Sequence, residues 1–255
     1  MNLTGNTILI TGGGSGIGRG LAEAFHALGN QVIIAGRRCA VLEEVTQANP
    51  GMKSLSVDMQ DGRAIRTFAA QAIEQFPSLN VLINNAGIMR GERLTAQQAD
   101  LADTEAIVAT NLLGPIRLTA ALLPHLQKQS SSAIINVSSG LAFVPLVFTP
   151  TYCATKAAIH SYSQSLRYQL KSTPVEVIEL APPYVQTHLM DGADDSRAMP
   201  LKEFIAEVME IFKTQPTPGE IIVERAKGLR NAEREGRYDG TFAGLNGGMA
   251  VRFEK

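Results

Sequence analysis

Thr7-Ile8-Leu9-Ile10-Thr11-Gly12-Gly13-Gly14-Ser15-Gly16-Ile17-Gly18 is a β-rich run that passes straight into five glycines within seven residues. Leu21, Ala22, Phe25 and Leu28 then recur at helical spacing until Gly29-Asn30 stops them. The stretch reads as strand, glycine turn and helix. Val32-Ile33-Ile34-Ala35 follows, apolar throughout, as in a buried parallel sheet. One βαβ unit is complete by residue 35.

The turn matches neither Gly-x-Gly-x-x-Gly nor a P-loop, but reads Gly12-x-x-x-Gly16-x-Gly18. Its physical logic is shared with both. Glycines permit positive φ and the close approach of a pyrophosphate, whose charge meets the following helix N-terminus. Gly12, Gly14, Ser15, Gly16, Ile17 and Gly18 are therefore candidate cofactor contacts, with Ser15 and Ile17 offering backbone N–H groups. A tight turn without a ligand is the competing reading.

The alternation continues along the chain. Helices are expected over Cys39–Gln47, Arg63–Phe76, Asp103–Lys128, Tyr152–Leu170, Leu201–Lys213 and Glu220–Arg234. The third of these carries Gly114-Pro115, which should kink it. Strands are expected near Ser54–Val57, Val81–Asn84, Ala133–Val137, Val175–Leu180 and Thr241–Leu245. The pattern predicts a single domain, 1–255, of α/β class: a Rossmann-type, doubly wound, mostly parallel seven-stranded sheet with helices on both faces. Residues 182–215 are too long for a plain connection, and about 188–215 are expected to form a substrate-binding lid.

With 255 residues, 45% hydrophobic and 18% charged, the chain suits one large domain better than two small ones. A net charge of -1 offers no basic surplus for nucleic acid or an anionic membrane. Cys39 and Cys153 lie far apart and read as reduced thiols. His26, His125, His160 and His188 show no metal-ligand spacing, so no metal is expected. His26, His125 and His160 fall on helices and read as structural. No basic-then-apolar leader opens the chain, and a soluble cytoplasmic protein is the expectation.

Tyr152-Cys153-Ala154-Thr155-Lys156 places a phenol and an ammonium one helical turn apart. A phenol titrates near pH ~10, and a fixed ammonium beside it favours the phenolate. Alone, the spacing is weak.

Together, Thr11–Gly18, Asn84-Asn85-Ala86-Gly87, Asn111, Ser139 and Tyr152-x-x-x-Lys156 stand in the order and spacing of the short-chain dehydrogenase/reductase family, which the chain resembles from Thr7 to about Gly248. The resemblance implies a catalytic set of Asn111, Ser139, Tyr152 and Lys156. Ser139 would hold the substrate oxygen, Tyr152 would exchange its proton, Lys156 would lower the phenol and bond the cofactor ribose, and Asn111 would complete a water-linked relay. Ser138 competes with Ser139, which is favoured on spacing. Asn85, Ala86 and Gly87 are implied cofactor contacts, with Asn84 mainly structural; Asp58 matches the adenine contact, with Met59 beside it. Pro182, Val185 and Thr187 would border the nicotinamide, although Pro183 stands where the family usually has glycine. Asn246-Gly247-Gly248 also departs from the usual Asp-Gly-Gly. Ser138–Phe143 and Ala181-Pro182-Pro183-x-Val185 resemble a bacterial subgroup named after the D-alanyl-lipoteichoic acid operon, a label that fixes no reaction.

Cofactor choice is read after the second strand. Gly36-Arg37-Arg38 replaces the acidic residue that would bond a ribose 2′-hydroxyl. A guanidinium holds a 2′-phosphate instead, so NADP(H) is preferred through Arg37, with NAD(H) possible. A solvated Arg-Arg pair is the competing reading. Leu141, Phe143, Tyr184 and His188 are the candidate substrate contacts, in surroundings made apolar by Pro145, Leu146, Val147, Phe148, Leu189 and Met190. The expected activity is interconversion of a carbonyl and an alcohol on a small or medium, largely apolar molecule, in a homodimer or homotetramer. A non-catalytic dinucleotide-binding regulator, an NAD-dependent alcohol dehydrogenase and a glycine-rich methyltransferase are the alternatives.

Overall fold

In a computed structural model, which describes residues 1–94, 100–190, 195–215 and 218–247, seven strands form one sheet in the order β3-β2-β1-β4-β5-β6-β7. Every pairing in it is parallel. The strands are β1 (Thr7–Thr11), β2 (Gln31–Gly36), β3 (Lys53–Ser56), β4 (Leu79–Asn84), β5 (Ser132–Val137), β6 (Val175–Leu180) and β7 (Glu220–Ile221). The helices between them are α1 (Gly16–Ala27), α2 (Cys39–Ala48), α3 (Gly62–Gln75), α4 (Ala102–Val108), α5 (Gly114–Leu126), α6 (Pro150–Leu170) and α7 (Leu201–Thr214), with α8 (Glu224–Arg230) and α9 (Tyr238–Asn246) closing the described chain.

Alternate strand residues face opposite sides, and two cores result. Ile8, Ile10, Val81 and Ile83 meet α1 through Leu21 and Phe25, and α7 through Phe204, Val208 and Phe212. Leu9, Leu82 and Ile134 meet α3 through Phe68 and α5 through Leu118 and Leu122. Helices thus cover both faces, and the strand order reverses between β1 and β4, where the carboxyl ends of the strands open a crevice.

Two expected elements are corrected. The last strand is not at Thr241–Leu245, which lies in α9, but at Glu220–Ile221. Two residues carry no readable periodicity, and the short Thr-Phe-Ala-Gly-Leu run mimicked a strand. Consequently the helix expected over Glu220–Arg234 is only α8. Residues 201–214, within the expected lid, form α7, whose Phe212 ring meets Phe25 of α1 edge-on at 5.8 Å. The lid expectation also includes residues 191–194, and the family resemblance reaches Gly248; both lie outside the described residues, as does the side chain of Met190.

The helical run 102–126 has a mean hydropathy of 1.6 and is long enough to cross a bilayer. Leu118, Leu122 and Leu126 are fully buried against the sheet, which marks it as a core helix.

Candidate active site

The glycine turn joins β1 to α1 with Gly12 at φ 68° and Gly16 at φ 53°. A Cβ at Gly18 would lie 2.3 Å from the Gly12 carbonyl oxygen and 2.4 Å from Asn85 Nδ2. No side chain caps the N-terminus of α1, and its first turn holds no acidic residue. A turn whose glycines carry no Cβ, set over an uncapped helix N-terminus, suits an anion, so these residues fit the pyrophosphate of a dinucleotide. Thr187 closes one side: a Cβ at Gly16 would meet its Cγ2 at 3.3 Å.

Asn85 braces this turn. Its Nδ2 donates to the Thr11 carbonyl at 3.0 Å, while the N–H groups of Asn85 and Ala86 donate to Thr11 Oγ1 at 3.0 and 3.1 Å. The Asn85 side chain is therefore committed to the protein. The side chain of Met59 is likewise buried in the core. Asp58 lies beside Arg37, with 3.9 Å between carboxylate and guanidinium. Arg38, not singled out from the sequence, donates to Ser15 Oγ at 3.2 Å. Two half-free guanidiniums thus stand at the outer end of the glycine turn.

At the next strand ends, Ser139, Tyr152 and Lys156 come together. Ser139 follows β5 in extended backbone and its Oγ accepts the Leu141 N–H at 3.1 Å. The Ser139 side chain lies close enough to the Tyr152 phenol to act on its proton. Lys156 Nζ donates to the Val137 carbonyl at 2.8 Å and lies 5.6 Å from the Tyr152 ring centre. All three are buried. Burial pushes the phenol up to about 12, opposed by the Ser139 side chain. Burial also lowers the Lys156 ammonium to about 8, opposed by the Glu179 charge. The sequence expectation of a phenol lowered by its neighbouring ammonium is thus outweighed, in the protein's own field, by desolvation of both groups.

Asn111 lies in a π turn, Ala109–Leu113, between α4 and α5, so the helix is distorted where expected, with Gly114-Pro115 opening the next segment. Its side chain clamps Ile88, accepting its N–H at 2.9 Å and donating to its carbonyl at 2.8 Å. Asn84, Asn111, Asn136 and Lys156 line a void of about 10 Å³, at the lower limit for one water molecule. Asn84 Oδ1 is buried there without a partner among the described residues, which suits such a water.

Leu141, Leu146 and Ile88 pack around Tyr152. Phe143 is directed elsewhere: its ring meets His160 edge-on at 4.8 Å, beneath Arg230 at 4.6 Å, in the wall of a separate cavity of about 250 Å³. Tyr184 is exposed and its hydroxyl donates to Asp195 at 3.2 Å. His188 is exposed in a single 3-10 turn. Pro182 and Val185 are buried beside the strand ends, and the Pro182 carbonyl accepts the Gly140 N–H at 2.8 Å. Gly87 faces Asn111 Oδ1, 3.5 Å from where a Cβ would stand. Asn246 holds the Pro145–Val147 loop through hydrogen bonds of 2.9 and 3.1 Å.

Two buried carboxylates gave no signal in the sequence. Glu92 accepts the Thr151 N–H and hydroxyl at 3.0 and 2.7 Å, placing a negative charge at the N-terminus of the helix that carries Tyr152. Glu179 of β6 is fully buried and accepts from Ser138 Oγ at 2.5 Å.

Comparison with known proteins agrees with this geometry. The short chain dehydrogenase family model matches residues 6–198. An uncharacterized oxidoreductase of Bacillus subtilis, DltE, is 42% identical over 249 residues, covering 96% of this chain and 98% of that one. A 3-ketoacyl-(acyl-carrier-protein) reductase from Brucella melitensis, solved with NADH, superposes with TM-score 0.77 at 26% identity, covering 88% of this chain and 100% of that one. The closed form of a serine dehydrogenase, solved with NADP+, superposes with TM-score 0.74 at 27% identity over 84% of this chain and 91% of that one.

Proposed function

The chain belongs to the short-chain dehydrogenase family, and from that premise we propose that this oxidoreductase interconverts a carbonyl and an alcohol with NADP(H) as its preferred cofactor. The observation that carries the proposal is the convergence of Ser139, Tyr152 and Lys156 beyond β5, with Lys156 fixed on the Val137 carbonyl at 2.8 Å and 5.6 Å from the Tyr152 ring centre.

A dinucleotide held here would supply or accept the hydride. Gly12–Gly18 would hold its pyrophosphate, Thr187 would close that side of the turn, and Lys156 would bond its nicotinamide ribose. In the reductive direction, Ser139 holds the carbonyl oxygen and Tyr152 gives it a proton as the hydride arrives. The resulting phenolate is stabilised by Lys156 and reprotonated through the void beside Asn111. Leu141 and Leu146 give the reacting end an apolar wall. The substrate-binding lid expected over about 188–215 is kept as a proposal, and a bridge between Val185 and Met199 ties its described residues to the strand end. The partly exposed helical face over 102–126 supports a homo-oligomer.

Relatives solved with NADP+ and with NADH support dinucleotide binding, and Arg37 with Arg38 supports the phosphorylated form. A double change, Arg37→Ala with Arg38→Ala, is expected to weaken NADPH binding by about 10- to 100-fold, the loss of one or two charge-assisted hydrogen bonds. NADH binding should hold steady. Fluorescence titration of both cofactors reads this directly, and equal losses for the two would refute the assignment. The activity itself is tested by following NADPH absorbance against a panel of ketones and aldehydes. A folded protein that binds NADPH but oxidises it with no member of the panel would count for a regulator instead.

A further inference from the structure

Along one edge of α6, Tyr152, Lys156, His160 and Gln164 follow one another at four-residue intervals. Facing them are Ser138, just past the end of β5, and Glu179 of β6. Glu179 has no exposed surface. Ser138 Oγ lies 2.5 Å from its Oε1, and His160 Nδ1 lies 2.7 Å from its Oε2. Gln164 Nε2 in turn sits 3.0 Å from His160 Nε2. A carboxylate clamped on both oxygens is thus held immediately behind the residue that precedes Ser139.

We propose that Glu179 is a positioning residue for the Tyr152–Lys156 pair: a buried anion, clamped by Ser138 and His160, that holds Lys156 as an ammonium. The proposal rests on reading that pair as the proton-transfer centre. Its geometry is a short chain of contacts. Lys156 Nζ is fixed on the carbonyl of Val137, and the next residue, Ser138, bonds Glu179. A buried ammonium far from any anion would shed its proton, which burial already encourages here. The charged and titratable groups facing Glu179 are His160 and Lys156 of α6, Glu220 of β7 and Arg230 of α8. Arg230 is spoken for, since it holds Glu220 by two hydrogen bonds of 2.7 and 2.8 Å. A divalent cation among His160, Glu179 and Glu220 would have to displace it, so a counter-charge role fits the cluster better than a metal site.

The test is an NMR titration of lysine-labelled protein, with the Lys156 signal assigned by its loss in Lys156→Arg. In Glu179→Gln, which keeps the shape and removes the charge, the Lys156 midpoint is expected to fall by about one pH unit, a tenfold change in the protonation equilibrium. Ser138→Ala leaves the carboxylate in place with one donor fewer, and serves if the first variant fails to fold. It should move the midpoint the same way by less. A wild-type midpoint in the folded variant overturns the proposal. The titration needs no substrate, so an absence of turnover in the wild type would sink the functional reading while leaving this result standing. Where turnover is present, the alkaline limb of kcat/KM should move to lower pH in Glu179→Gln, and Glu179→Asp should restore it.

Discussion

Replacing Tyr152 with phenylalanine is expected to lower kcat/KM by about a thousandfold while leaving NADPH binding within a small factor of the wild type. Loss of a positioned general acid removes roughly two to four powers of ten. The ring itself stays useful: it packs with Met89, Ile107, Leu141 and Leu146, and phenylalanine keeps those contacts. Ser139 keeps the hydrogen bond from Leu141 and so remains in place. What disappears is the phenolic proton in a buried site. The measurement is steady-state turnover of the best carbonyl from the panel beside a fluorescence titration of cofactor. Undiminished turnover would remove Tyr152 from the chemistry.

Gly18→Ala is expected to destabilise the fold by about 3–5 kcal/mol, the range reserved for changes with a definite steric cause. The added methyl would stand 2.3 Å from the backbone oxygen of Gly12 and 2.4 Å from Asn85 Nδ2. Neither can retreat, because Asn85 is bonded to Thr11 and the Gly12 N–H to the Ala35 carbonyl at 2.7 Å. For a chain of this size the loss corresponds to a fall in Tm of about 10 °C. Gly228→Ala is the control: a Cβ there meets nothing within 4 Å, and alanine favours its helix by up to about 1 kcal/mol. Differential scanning fluorimetry separates the two. If both alanines melt with the wild type, the turn is not the close approach described here.

Where the sequence was legible, a period or a fixed spacing stood in it. β1, β2 and β4–β6 are continuous apolar or alternating runs, and α3 repeats Ile65, Phe68, Ala69 and Ala72 on its buried face. The glycine turn and the Tyr152–Lys156 spacing are local, so they survive without knowledge of the fold. β7 failed that test because two residues have no period, and α9 because no residue of it is buried. Phe143 was read as facing substrate from its place before Tyr152, but the 3-10 turn at Gly140–Ala142 leads its ring to His160. Glu92 and Glu179 were invisible for a different reason. Each acts through partners distant in the chain, Glu92 with Thr151 and Glu179 with Ser138 and His160. A carboxylate in a loop and another in a strand look like any other charge until the fold brings those partners to them. Arg38 was passed over beside Arg37 because adjacent residues give no clue which reaches back to Ser15.

The order of the strands also fixes an order in time. β1 finds β2 on one side soon after synthesis, through Thr7 and Gln31, but its other neighbour begins only at Leu79. At a ribosomal rate of 5–20 residues per second, the edge of β1 waits roughly 4 to 15 s for β4. Until β4 is made, the N–H and carbonyl groups on that edge of β1, those of Leu9 among them, have no strand partner. An open strand edge is a template for aggregation, so a slower stretch of translation before Leu79 is expected to prolong the exposure.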